Sequence, residues 1–405
     1  MIQMEMEQVC AEIRKKVIET NWSRLWPGFK PVAYCIYNQE KVYLFNHPAF
    51  QNLDGQAVVF DWEEQFVGDT LILYKDYPTA IVRWDQNTFV NDLYQVLVHE
   101  IFHGYQTIID EKWFPDELTG VCYPLLVENI DLRMKERKLL NEAYKEKNPV
   151  KKMQCLQAFR FFRTRREAIL KQDIEYEYLM ESVEGPAYYV KFQAANHMDD
   201  TSAEKCLQFY RQMLLDPQKT NLHLRKSCCI SGLFICLLMD QLDEKWKDIF
   251  VDSDLTLYEF FSLYIDSPLQ VNAKERRASE EACQAYEYVY QQKNKKIQEF
   301  SNSSGYKLTI EGDMRATFFD PINMVNVGNK LLHRYFVKLQ INQKDYLINQ
   351  PALIYYSDNI LHFNRLQLNL TQKPVLMNGF ISIEGIGSIP GSYKEDGRSL
   401  HLTVG

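Results

Sequence analysis

The 405-residue chain is predicted to be an α+β protein, because its patterning changes twice along its length. Short β-like runs occupy residues 32 to 84, and stretches with helical spacing of apolar residues fill most of 93 to 300. From 306 to the end, apolar and polar residues alternate strictly. The first two regions are read as one domain, 1–300. It comprises a small sheet with the helix that follows it (1–123) and a mainly helical part (124–300). The last region, 306–405, is read as a β-sandwich-like antiparallel domain with one wet and one dry face. A chain of this length exceeds one ordinary core, which fits such a division.

In order, residues 4 to 21 carry helix formers with apolar positions at helical spacing. Val32–Tyr37 and Lys41–Phe45 flank a turn at Asn38 and predict a hairpin. Ala57–Phe60, Thr70–Tyr74 and Thr79–Trp84 continue the strands, and Thr79–Trp84 is read either as an edge strand that pairs with extended substrate or as an ordinary strand. Helices are expected over 128–147, 152–180, 203–215, 227–242 and 278–300. Within 152–180, the run Phe159–Arg166 alternates aromatic and basic residues at helical spacing. It is read as one solvated and one packed face, with some arginines available to pair with carboxylates. Ser301–Gly305 is a small-polar break and the clearest linker. Beyond it the period of two shows at Tyr306, Leu308 and Ile310, at Tyr335 to Ile341, at Leu366 to Leu370 and at Leu400 to Val404.

Composition narrows the class. With 46% hydrophobic and 25% charged residues the chain reads as globular, and its 25 tyrosines and 23 phenylalanines favour large cores or an aromatic-lined cleft. A net charge of -8 argues against nucleic acid as the main partner. Nine scattered cysteines without a CxxC pair suit a reducing compartment. No apolar h-region follows the acidic start Met1–Glu7. The longest apolar run, Cys228–Met239, is too short to span a bilayer and reads as a buried helix. The expectation is a cytoplasmic protein with no membrane partner.

Chemistry concentrates in His99-Glu100-Ile101-Phe102-His103, an H-E-x-x-H motif. Residues four apart on a helix lie one turn above each other, so both imidazoles can reach one metal ion. Glu100 then sits where a general base would take the proton of a water activated by that ion. Apolar residues at 93, 96, 97, 101 and 102 bury the helix. Two core histidines satisfied by carbonyls are the plainer alternative, but two buried imidazoles beside a carboxylate are costly without a cation.

Catalytic zinc takes three protein ligands and leaves a position open. The other histidines (47, 197, 223, 333, 362 and 401) do not continue the motif, and Ile109 stands where a third histidine six residues after His103 would be. A carboxylate is therefore expected from the stretch Tyr176–Tyr189. There Glu177, Glu181 and Glu184 stack on one helical face and need a cation or arginines if buried; otherwise they form an exposed acidic stripe.

H-E-x-x-H together with the downstream Glu184-Gly185-Pro186-Ala187 and Tyr189 resembles the gluzincin metallopeptidases, which include thermolysin-like and aminopeptidase-like enzymes. The resemblance covers 93–106 and 177–189. It implies a zincin-like catalytic domain with Zn2+ held by His99, His103 and Glu184, and with Glu100 as general base. Glu181 is the alternative ligand, or a partner that orients one of the histidines. Tyr188 and Tyr189 are the candidate oxyanion donors. The long gap between His103 and Glu184 implies an inserted helical pair, and Pro186 implies a kink or restart. The aminopeptidase Gly-x-Met-Glu-Asn stretch is missing, so exopeptidase action is not supported. The implied function is zinc-dependent hydrolysis of peptide bonds in a peptide or protein substrate. The alternatives are a catalytically idle fold kept for binding or regulation, and a zinc hydrolase of a non-peptide amide or ester.

Overall fold

A computed structural model describes residues 5–50, 56–196, 200–267 and 277–405, without the side chains of 200–202. His197 and the first four residues of the acidic start lie outside the described residues. Helices and sheets are mixed, and the C-terminal region is β-rich. Among the described residues no helix is long and apolar enough to cross a membrane. All nine cysteines are free thiols.

The chain divides into two compact units, Met1–Pro115 with Glu128–Ala278, and Asp116–Val127 with Ser279–Gly405. The Ser301–Gly305 break thus falls inside the second unit, where Glu280–Asn302 ends and Tyr306–Phe319 begins. The reason is apolar: Ile297 and Phe300 of that helix share a buried cluster with Val325, Leu332 and Leu353 of the strands.

In the first unit five strands line up as β3-β2-β1-β5-β4. These are β1 (Ala33–Tyr37), β2 (Lys41–Phe45), β3 (Val58–Asp61), β4 (Thr70–Tyr74) and β5 (Tyr77–Arg83). The predicted hairpin is present, with Tyr34 opposite Phe45. The edge-strand reading of Thr79–Trp84 is corrected, since β5 pairs in parallel with β1 and antiparallel with β4. Both backbone edges of β5 are taken, as its buried centre (Thr79–Val82) suggests. The edges of the sheet are β3 and β4.

One face of this sheet carries the histidine helix, Val90–Ile108. Contact is close because Gly104 has no side chain. A Cβ there would lie 2.4 Å from a Val32 methyl and 3.2 Å from one of Leu71. Behind it come a charged helix (Val127–Lys145), the arginine helix (Pro149–Leu170) and the carboxylate helix (Glu175–Asn196). The predicted single helix over 152–180 is in fact two, parted by a 3-10 turn at Lys171–Ile174 where Lys171 takes φ 52°. No glycine or proline marks that break, so periodicity alone ran through it. Of the kink or restart expected at Pro186, the restart is corrected, because the carboxylate helix continues through that residue. Proline removes one i to i−4 bond, and packing on all sides outweighs it.

The apolar run 228–239 is a buried core helix, Leu224–Leu242. It crosses the carboxylate helix at two glycines. A Cβ on Gly185 would stand 2.7 Å from the Gly232 Cα, and one on Gly232 would stand 2.7 Å from the Gly185 Cα and the Glu181 carbonyl. This approach brings polar side chains of the core helix within reach of Glu181 and Glu184.

The second unit holds a nine-stranded sheet and a three-stranded sheet, Val375–Met377, Phe380–Ile383 and Gly387–Pro390. Residues of both, such as Leu366 and Ile381, fill one core. Pairing is mostly antiparallel. The all-antiparallel expectation needs one correction, because Ser399–Thr403 runs parallel to Lys307–Glu311.

Candidate metal centre

The histidine helix presents His99 and His103 on one face, and the carboxylate helix brings Glu184 to them. The Nε2 atoms of the two histidines stand 3.1 Å apart. Glu184 Oε2 lies 3.6 Å from each. All three residues are largely withdrawn from water, and they form the one group of potential metal ligands among the described residues. Tetrahedral zinc with bonds of about 2.0–2.2 Å spaces its donors roughly 3.3–3.6 Å apart. Two sides of the triangle match that spacing and the third, at 3.1 Å, needs the imidazoles to part by a few tenths of an ångström; the donor set, two imidazoles and a carboxylate, suits the ion's chemistry.

Neighbouring groups set each donor's state. His103 Nδ1 faces the side-chain oxygen of Gln106 at 2.8 Å. Gln106 in turn donates to the Val183 carbonyl at 2.9 Å, which fixes which end of its amide is the acceptor. His103 thus carries its proton on Nδ1 and presents a lone pair at Nε2. His99 Nδ1 is buried and makes no hydrogen bond among the described residues. Burial and the neighbouring His103 hold the His99 imidazole down to about 3, so it stays neutral and able to ligate. For His103, burial works downwards, but Glu184 outweighs it and raises the imidazole above its ordinary value. Glu184 is buried, which works upwards. His103 and then Arg225 nevertheless hold its carboxyl well below the usual carboxylate range. Arg225 Nη2 donates to Glu184 Oε1 at 2.6 Å and leaves Oε2 to the histidines.

Glu100 Oε1 lies 4.0 Å from His99 Nε2, beside the triangle and outside it. Burial pushes its carboxyl up to about 7, with His103 opposing. A carboxyl poised near neutrality can both accept and return a proton.

Other sequence candidates resolve differently. Glu181 accepts both Nη groups of Arg163, at 3.0 and 3.1 Å, and a hydroxyl from Ser231 at 2.5 Å. Both its oxygens are thereby engaged elsewhere, which corrects both roles expected of it: it is not in the ligand group, and its partners are Arg163 and Ser231 and not a histidine. Glu177 is paired with Arg166 and Arg133. The exposed-stripe alternative is also corrected, because all three glutamates are buried. Within Phe159–Arg166, Arg163 and Arg166 lie on the packed face, fully buried, and are the arginines that pair with carboxylates, Glu136 as well as the glutamates above. Tyr188 stands at the site, its ring 4.9 Å from that of His99. Tyr189 points away from it, donating to Asp240 at 2.7 Å and accepting from Lys247, so its expected oxyanion role is corrected.

Sequence reasoning missed Gln106 and Arg225. A polar residue three positions after the second histidine, one turn on, was the available signal for Gln106. None marked Arg225, which the glycine crossing delivers from forty residues away. Compared with known proteins, the chain matches no family model, no curated protein and no solved structure.

Proposed function

We propose that the chain is a zinc-dependent hydrolase of gluzincin type that cleaves peptide bonds. The single observation behind this reading is the His99, His103 and Glu184 triangle with Glu100 beside it. Bound there, Zn2+ would supply Lewis acidity to a scissile carbonyl and bring the pKa of a water towards neutrality. The chain's own residues do the rest. Glu100 takes the proton of the attacking water and passes it to the leaving amine. Gln106 locks the tautomer of His103, and Arg225 holds Glu184 with one oxygen turned to the imidazoles. Tyr188, whose ring lies against that of His99, is the residue we assign to steady negative charge on the carbonyl oxygen. The free edge of β4 is the strand left for an extended peptide, because Leu71 lies against Gly104 of the histidine helix.

Glu100→Gln tests the reading. The variant keeps stoichiometric zinc by elemental analysis and loses hydrolysis by about 10²–10⁴-fold on a peptide library. Wild-type protein purified without zinc, or a variant as active as wild type, overturns it. Cleavage of amides or esters other than peptides, with peptides untouched, would keep the metal and replace the substrate.

A further inference from the structure

Lys191 lies on the carboxylate helix two turns beyond Glu184 and three residues after Tyr188, on the face that looks to the histidines. Its ammonium is 5.8 Å from the centre of the Tyr188 ring, which itself leans on His99. It is partly buried, and among the described residues it makes no hydrogen bond and no ion pair. The groups that feel its charge are Cys206, Glu100, Asp69, Lys226 and His99. Of these, Asp69 immediately precedes β4 and is already engaged by the Arg83 amide at 2.8 Å. Among the described residues, the buried arginines of the first unit each have a fixed acceptor: Arg133, Arg163 and Arg166 a carboxylate, and Arg137 the Ser227 carbonyl through one of its nitrogens. Leaving one ammonium partly desolvated and unpaired costs stability, and burial accordingly lowers its pKa. An incoming anion recovers that cost.

We propose that Lys191 is the substrate-anchoring residue of this centre and recognises a carboxylate on the peptide close to the scissile bond. The inference rests on the hydrolase reading above and adds its substrate class. The carboxylate has two chemical sources, an acidic side chain or the free C-terminus of the peptide. Either would replace missing solvation around the ammonium with a charge-assisted hydrogen bond. Tyr188, between Lys191 and His99, then sets the spacing between the anchor and the reacting carbonyl.

The test uses the full zinc-loaded chain and a capped peptide library in which Glu and Gln alternate at each position, together with pairs that end in free acid or amide. Wild type is expected to favour one carboxylate member by about tenfold or more in kcat/KM, and the arm showing the preference names the source. Lys191→Met brings the ratio within that pair towards one, with the loss in KM. Lys191→Arg restores it, and Lys191→Glu turns preference to a Lys-containing member. No pairwise preference in wild type, or an equal fall in kcat on both members in Lys191→Met, overturns the proposal. The second result would make Lys191 an oxyanion donor. A separate readout needs no turnover: calorimetric binding of capped Glu and Gln peptides, and of free-acid and amide peptides, to metal-free Glu100→Gln protein with and without Lys191→Met. If no library peptide is cleaved, the hydrolase reading fails. The binding arm still decides the anchor, which stands if carboxylate peptides bind through Lys191 and falls if they do not.

Discussion

One helix carries three buried glutamates with two different fates. Glu177 and Glu181 sit among Arg133, Arg163 and Arg166, and every nearby cation is part of the protein. Glu184, one turn further on, receives a single guanidinium at one oxygen and turns the other to two imidazoles. Burial is nearly the same for all three. The number of fixed cations differs, and that number separates a carboxylate that holds the fold from one available to an ion. The lesson is general: a buried acid whose charge is met by guanidinium groups of the chain is structural, and one that turns an oxygen to two imidazoles is a ligand in waiting.

Substitutions on the two sides of this contrast should part cleanly. Arg163→Met strips Glu181 of its guanidinium in a dry interior and leaves Glu136 with Arg166 alone. It is expected to cost about 3–5 kcal/mol in chemical denaturation, whether or not zinc is present. A loss below about 1 kcal/mol would erase the distinction. Glu184→Ala leaves half-exposed Arg225 to water. Stability of the metal-free chain should therefore change little, while zinc affinity by competition with a chelator falls by at least about a hundredfold, more than a supporting residue costs.

His333, in the second unit, sharpens the contrast by having neither kind of partner. It is 1% exposed, and both its ring nitrogens lack hydrogen bonds. Burial holds it down to about 4. Unfolding frees it to protonate near 6.5, so its contribution is complete above that value and declines as pH falls towards 4. The loss is about 2 kcal/mol between pH 6.5 and 5. Denaturation across that window should show the decline in wild type and a flatter curve in His333→Leu. The smallest effect is expected of Gln106→Leu, which removes the acceptor that sets the His103 tautomer and weakens zinc binding by about tenfold. No change in affinity would mean that the tautomer is set elsewhere.

Much of this was legible beforehand, for reasons that can be named. The four-residue spacing of His99 and His103 puts two imidazoles on one helical face wherever the helix sits, so that half of the centre was readable from local geometry. Glu184 was readable through its Glu-Gly neighbour, whose physical sense is the contact with Gly232. Choosing between Glu181 and Glu184 was beyond local pattern, since both share the face. The choice is made by Arg163 from one helix and Arg225 from another. Strand positions followed from alternation, but strand order did not: β5 lies inside the sheet because β1 pairs with it across forty residues. Tyr188 and Tyr189 are neighbours in sequence, and the helical twist of about 100° between them sends one to the histidines and the other to Asp240.

The bare crossing of Gly185 and Gly232 ties two otherwise separate parts of the molecule to one fulcrum. Ser231 and Arg225 both precede Gly232 on the same rod, one gripping Glu181 and the other Glu184. A single methyl at either glycine would lever that rod outward, loosening the structural clamp and the ion cradle in the same stroke. At this crossing alone, a change to the backbone approach reaches both carboxylates together.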